Sequence, residues 1–329
     1  MRDDQLTLRF LTAPQDMDHR GGQVQAGRIL EWIDRAGYAC AVAWSTSYCV
    51  TAYVGNVHYD GTIGPGDVVE VDARIIHTGK SSIHVLVSVH ARSLNDKKYT
   101  RAMHCILVFV AVDEHGQPHP VRPWQPTTND DKARQQLALE RIPVRMRIKD
   151  AMLEEHYSEQ GTAPRSLLRF VAGSDIANWA GNAHGGTVMR WIDEAAGTCA
   201  VPLSPHGARA KYSGGIHFHR PIRIGQIVEV DARAILVKGQ DIHISVLVRS
   251  APPQHPDQLS LTTRCMMIFT ADEGTPGPQA IPERTAEDRR LAAHAREVIN
   301  MRSELTKISD DLIRTAGSYG ENATAAQPF

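Results

Sequence analysis

The sequence predicts an α+β chain built twice: two tandem units, each an antiparallel sheet wrapped around a central helix, paired about a pseudo-twofold axis. Three observations predict it. Val69-Glu70-Val71-Asp72-Ala73-Arg74 recurs unchanged as Val228-Glu229-Val230-Asp231-Ala232-Arg233. Each copy carries one helix-like stretch with an apolar second half, and a helix without a polar face is a buried helix. Each copy then runs into stretches rich in β-branched residues.

The repeat comes first because it fixes the architecture before any local reading. Trp32-Ile33-Asp34 returns 159 positions later as Trp191-Ile192-Asp193. The same spacing relates Asp16 to Asp175, Gly22 to Gly181, Gly27 to Gly186, Cys40 to Cys199, Gly66 to Gly225 and Ile83-His84 to Ile242-His243. On the sequence it holds without a gap from Asp16 to about Val89. The predicted units are 1–122 and 161–283, joined by a helical linker over 123–160 and followed by a helix and disordered tail over 284–329.

Within each unit, a glycine-bearing loop leads into the helix. The loops hold Gly21-Gly22 and Gly27 in the first copy, and Gly181 and Gly185-Gly186 in the second. The helices are predicted over roughly 26–43 and 186–201. Strands are predicted around Ile83–Val89, Met103–Val110, Ile242–Val248 and Arg264–Phe269. A polar helix is expected over about 127–160. The last helix opens at Thr285-Ala286-Glu287-Asp288, which resembles a capping box. It carries Leu291, Ala295, Val298, Leu305, Ile308 and Leu312 on one face.

The bulk numbers exclude several classes. At 329 residues the chain is long enough for two ordinary domains. Hydrophobic content of 42% and charged content of 22% are those of a soluble globular protein. A formal net charge of −1 offers no general attraction to nucleic acid or to anionic membrane. The five cysteines are Cys40, Cys49, Cys105, Cys199 and Cys265. They form no C-x-x-C pair, which fits a reducing compartment rather than a disulfide framework or a zinc site. With no apolar run at the N-terminus and none long enough to span a bilayer, a cytoplasmic location is expected.

The densest polar signal is Gly181-Asn182-Ala183-His184-Gly185-Gly186-Thr187-Val188-Met189-Arg190-Trp191-Ile192-Asp193-Glu194. Glycines ahead of a helix let backbone N–H groups approach a ligand, and the helix N-terminus favours negative charge there. That suits an oxyanion developing on an acyl carbonyl; packing of the loop against a sheet explains the glycines equally well. Asp34 and Asp193 lie about two turns into helices that otherwise read as buried, where a carboxylate is costly unless paired or functional. At ~1.5 Å rise per residue, Asn182 and Asp193 of one copy stand ~10 Å or more apart. They are not expected to meet at one reacting bond. With the helices antiparallel across a twofold, the loop of one copy approaches the helix of the other. The expected sites are Asp34 with Asn182, and Asp193 with Gln23. The second has the longer amide and Ala26 in place of the first paired glycine, so it is expected to be weakened or dead.

Gly79-Lys80-Ser81-Ser82 is predicted as a hairpin that presents a cation and two hydroxyls, suited to a phosphate or a pantetheine amide; a solvated turn reads almost as well. His58/His217 and His84/His243 alternate with apolar residues and read as hydrogen-bonded, half-buried strand histidines rather than metal ligands. No metal is expected. Walker, dinucleotide and G-x-S-x-G motifs are absent.

Residues 181–197 resemble the signature of the acyl-CoA thioesterase family with tandem (double) hotdog domains, and Ile216–Gly225 is similar to that family as well. The resemblance covers both copies and is looser in the first. It implies hydrolysis of acyl-CoA to a carboxylic acid and CoA, with no cofactor because coenzyme A is part of the substrate. It casts Asp34 as general base or nucleophile, Asn182 as the group orienting water or carbonyl, and N–H groups near Gly185 and Gly186 as the oxyanion hole. His184, Thr187, Lys80, Ser81 and Ser82 are its substrate-binding candidates. It also implies a homo-oligomer, commonly a trimer of tandem chains. Two other readings stand beside it: a non-catalytic acyl-CoA-binding or regulatory protein, which would not need Asp34, and an enoyl-CoA hydratase, which would need a histidine such as His184.

Overall fold

A computed structural model describes residues 3–59, 61–158 and 160–315; the predicted disordered end of the tail lies outside the described residues. In the first half, β1 (Gln5–Leu11) precedes α1 (Ala26–Ser45), followed by β2 (Tyr48–Gly55), β3 (Val57–His58), β4 (Val68–Thr78), β5 (Ser82–Arg92) and β6 (Thr100–Val112). Helix α2 (Asn129–Leu153) connects the halves. The second half repeats the order as β7 (Arg165–Val171), α3 (Gly185–Ala200), β8 (Ala208–Phe218), β9 (Ile227–Lys238), β10 (Asp241–Ala251) and β11 (Ser260–Ala271), and ends in α4 (Ala286–Thr315).

The strands make one antiparallel sheet in the order β1-β4-β5-β6-β2-β8-β11-β10-β9-β7, with β3 pairing β8. The halves join edge to edge at its centre. Tyr53 pairs with His217 and Val54 with Ile216, while Val57 pairs with Ser213 and His58 with Tyr212. Shifting each residue by one repeat exchanges these pairs, so the pseudo-twofold axis runs between β2 and β8. Each half therefore closes the open edge of the other, which removes two unpaired strand edges.

The apolar second half of each central helix has its reason in this arrangement. Helices α1 and α3 pack on one face of the sheet and against each other. Leu30, Ile33, Ala36, Cys40 and Ala41 of α1, with Met189, Ile192, Ala195 and Ala196 of α3, are fully buried in one core with Val69, Val85, Val230 and Val246. The opposite face is covered by α2 and α4. Val144, Ile148 and Met152 of α2 meet Leu291, Ala295, Val298 and Leu305 of α4 over Ile235 and Met266. The stripe expected on the last helix is thus buried, with Ile308 half-buried against its end and the side chain of Leu312 outside the described residues. The stretch read as a polar linker is half of this covering pair. Both helices begin on reciprocal caps, Thr128 with Asp131 and Thr285 with Asp288.

One expectation about the repeat is corrected. The 3-10 turns Pro14–Asp16 and Ser174–Ile176 are related by 160 positions, not 159, as are β1 and β7. The extra residue lies between bridges Met17–Val24 and Ala177–Ala183, so the first copy has the longer loop ahead of its helix. Asp16 therefore matches Ile176 in space, not Asp175.

Candidate active site

The twofold brings the N-terminus of α3 onto the middle of α1. Gly186 has no side chain, and a Cβ there would stand 2.8 Å from the Glu31 Cα and 3.2 Å from the Asp34 Cβ. That absence lets the two helices meet backbone to backbone. The Gly186 N–H donates to Asp34 Oδ2 at 2.8 Å. Thr51 Oγ1, from β2, donates to Asp34 Oδ1 at 2.8 Å. Both carboxylate oxygens are held while the side chain is only 3% exposed.

Burial raises the Asp34 pKa; the Gly186 N–H, the Thr51 hydroxyl and nearby His184 pull it down, and Glu31 adds to the rise. The net shift is upward. A carboxylate in this state binds a proton more readily than an ordinary one and suits general-base work near neutral pH.

Asp34 opens onto a cavity of about 250 Å³ that lies between the halves. Its wall includes Thr51, Asn182, His184 and Gly185, with Tyr38, Tyr48, Val188 and Phe218 supplying apolar surface. Asn178 Nδ2 donates to the Tyr48 oxygen at 2.9 Å. The Asn182 side chain bonds the same hydroxyl. Trp179 Nε1 donates to the Tyr38 hydroxyl at 3.0 Å, and the His184 ring lies edge-on to Tyr38 at 6.4 Å between centroids.

Asp34, Asn182, His184 and Gly185 thus share one cavity wall. Gly186 N–H is taken by Asp34, so of the expected donor pair only the Gly185 N–H is left to donate. The Gly185 N–H opens α3 and donates to no protein group among the described residues. Thr187 is not on the wall; it is buried between α1 and α3, with its hydroxyl 3.5 Å from Glu31 Oε1. Lys80, Ser81 and Ser82 also lie off the wall, in the β4–β5 hairpin. Their main chain bonds Val121, Ala111 and Gly79.

At the twofold-related position Asp193, 5% exposed, accepts from Gly27 N–H at 2.9 Å. Burial pushes its pKa up to about 7 against the opposing Gly27 and Gln25 bonds. The amide partner is Gln25, not the expected Gln23: the helix N-terminus faces Asp193 with the residue two positions closer to it. Among the described residues no hydroxyl supports this carboxylate as Thr51 does Asp34, because the matching residue is Ala210, paired with Phe269 as Thr51 is with Phe109. Gly197 and Gly207 stand where the first site has Tyr38 and Tyr48. An Arg20–Asp272 ion pair lies where a side chain at 207 would go.

Of the strand histidines, His58 is half-buried as expected, whereas the other three are buried outright. His84 and His217 are buried and held down to about 3, and His243 to about 4, chiefly by burial. The five cysteines are buried free thiols.

Sequence reasoning missed Thr51, Gln25, Tyr38 and Tyr48. A comparison of the copies with each other marks three of them, since Thr51, Tyr38 and Tyr48 are replaced by Ala210, Gly197 and Gly207. Removing the Thr51 hydroxyl takes away a bond that lowers the Asp34 pKa. If Asp34 works as a carboxylate, rate is lost as pH falls through that pKa. Thr51→Val is therefore expected to move the acidic limb of the pH–rate profile to higher pH, with the rate lowered on that limb and little changed on the plateau above it. An unmoved limb would separate Thr51 from Asp34.

A family model described as the thioesterase superfamily matches this chain twice, at residues 21–96 and 180–255. The chain is 25% identical over 294 residues to mouse acyl-coenzyme A thioesterase 11, across 84% of this chain and 49% of that protein, so it spans about half of that relative's length. It is 30% identical over 122 residues to an uncharacterized acyl-CoA thioester hydrolase of Buchnera aphidicola, across 36% of this chain and 90% of that protein. The fold alone is shared with the crystal structure of a Lactobacillus plantarum protein assigned as an oleoyl thioesterase. That match has TM-score 0.57 and 10% identity over 82% of this chain and 97% of the other.

Proposed function

Because the chain belongs to the thioesterase superfamily, its two halves both being hotdog domains, we propose that it hydrolyses acyl-CoA to a carboxylic acid and CoA at one competent site, with Asp34 as general base. The observation that carries this reading is the buried Asp34 carboxylate, held by Gly186 N–H and Thr51 Oγ1 on the wall of an inter-domain cavity.

The thioester carbonyl would lie at the start of α3. Asp34 takes a proton from water as the water oxygen bonds to the carbonyl carbon. Charge moves onto the carbonyl oxygen, where Gly185 N–H and the positive end of α3 stabilise it. The C–S bond then breaks, CoA leaves as its thiolate and takes up a proton, and the acid remains. Asn182, through Tyr48, shapes the wall against which the water sits. The apolar surface of Tyr38, Val188 and Phe218 supports an acyl chain, and exposed Arg220 at the rim supports an anionic group. Assembly into a homo-oligomer belongs to the same reading. Leu139, Met146 and Leu153, each about two-fifths exposed and seven residues apart, give α2 an outer apolar stripe for a second copy.

His184 separates this reading from the hydratase. It is exposed at the rim and makes no hydrogen bond to Asp34 among the described residues. His184→Ala is expected to lower CoA release less than 10-fold and to hydrate no enoyl-CoA. Hydration of an enoyl-CoA by wild type, abolished in His184→Ala, would overturn it.

A further inference from the structure

On the sheet face away from Asp34, the twofold assembles a second polar cluster that hydrolysis does not use. The Tyr53 ring lies 4.8 Å from His217, and the Tyr212 ring 4.9 Å from His58, the same pair repeated across the axis. An arginine from each covering helix tops each pair. Arg145 of α2 stands 4.8 Å over Tyr53, and Arg302 of α4 stands 5.5 Å over Tyr212. Tyr53 feels Arg141, Arg145 and Arg302 together. Guanidinium groups do not give up their protons in proteins, so the charge stays.

Arg141 bonds Tyr53, which leaves the charges of Arg145 and Arg302. No carboxylate among the described residues pairs with Arg145 or Arg302 there. Arg302 is 6% exposed; its Nε and Nη1 have no hydrogen-bond partner, and its Nη2 meets only the weakly accepting Met152 sulfur at 3.6 Å. His104 and His217, buried beside the arginines, keep unpartnered ring nitrogens. A buried guanidinium held only by a ring face and a thioether is costly, and unused donors around one axis demand acceptors.

We propose that this cluster is a binding site for a phosphate-type oxyanion, held between α2 and α4 on the pseudo-twofold axis by Arg302 and Arg145. The class follows from the geometry. A planar carboxylate matches one guanidinium edge, whereas cations approaching from two helices call for oxygens on several sides, as a tetrahedral anion has. The site is distinct from Asp34, which packs on the other face of the sheet, although His219, stacked on His217, also lines the Asp34 cavity.

The test is thermal unfolding of the full chain in phosphate-free buffer, then with sodium phosphate, at ionic strength matched by chloride. ATP and CoA are run in parallel to separate free phosphate from a nucleotide. Phosphate is expected to raise the wild-type midpoint by several degrees over chloride. Arg302→Met should be at least as stable as wild type without phosphate, since an apolar chain replaces a buried unpaired charge, and should gain nothing from it. Arg302→Lys keeps the charge but loses the fork, and should bind phosphate at least 10-fold more weakly; it carries the test if Arg302→Met does not fold. A gain with CoA or ATP but none with phosphate, no gain with any of them, or an equal phosphate gain in wild type and the Arg302 variants overturns the proposal.

Discussion

Asp34→Ala is expected to lower release of CoA from acyl-CoA by ~10²–10⁴-fold, the usual contribution of a general base, while Asp193→Ala stays within a few-fold of wild type. The two carboxylates are related by the repeat and share burial, helix position and a backbone N–H from the facing glycine. They differ in what surrounds them. Asp34 has the Thr51 hydroxyl and an open cavity walled by Tyr38 and Tyr48. Asp193 has Ala210, Gly197 and Gly207 at those places, and the Arg20–Asp272 ion pair beside Gly207. Measured kcat for both variants decides it. Equal losses would show that the Asp193 site also turns over, and the asymmetry would be wrong.

The second large effect is expected from a single methyl group. Gly186→Ala puts a Cβ 2.8 Å from the Glu31 Cα, a backbone atom that moves only if α1 moves. Overpacking of this kind costs ~1–3 kcal/mol. At ~2–4 °C per kcal/mol for a domain of this size, the midpoint should drop by several degrees. The same shift stretches the N–H bond to Asp34, so activity should fall at least ~10-fold. Gly27→Ala makes the twin clash, 2.8 Å from the Arg190 Cα. It should destabilise comparably but spare most of the activity. Gly22→Ala, with nothing within 4 Å of its Cβ, is the neutral control. If Gly27→Ala and Gly186→Ala lose activity equally, stability rather than the Asp34 site explains the loss.

The repeat and the buried helices were legible because each carries its signal inside a short window. Trp32-Ile33-Asp34 and its copy fixed the duplication, and the small apolar run after Ala36 fixed the buried helix. The pairing of Asp34 with the other copy's glycine loop was legible from the rise per residue together with a twofold that sets the helices antiparallel. What escaped depends on long-range register. Thr51 reaches Asp34 only because β2 runs beside α1, and no spacing in the sequence says so. Gln25 rather than Gln23 meets Asp193 because it adjoins the helix, whereas Gln23 is the twin of Asn182, which bonds Tyr48 and not Asp34. Hydrogen bonds were expected for His217 and His243; the covering helices instead bury both rings, and the apolar stripe on α4 did not say which surface it covers. Gly186 was read as an oxyanion donor from its place at the head of a helix and from the family resemblance, and only the placed Asp34 shows where its N–H points.

The most direct test of the central claim is steady-state release of free CoA, read with a thiol reagent, by the wild-type chain across acyl groups from acetyl to palmitoyl. The account predicts turnover of at least one acyl-CoA, with an acidic limb set by a carboxylate of raised pKa. Release of no CoA from any acyl group would contradict it and leave a protein that binds acyl-CoA without cleaving it.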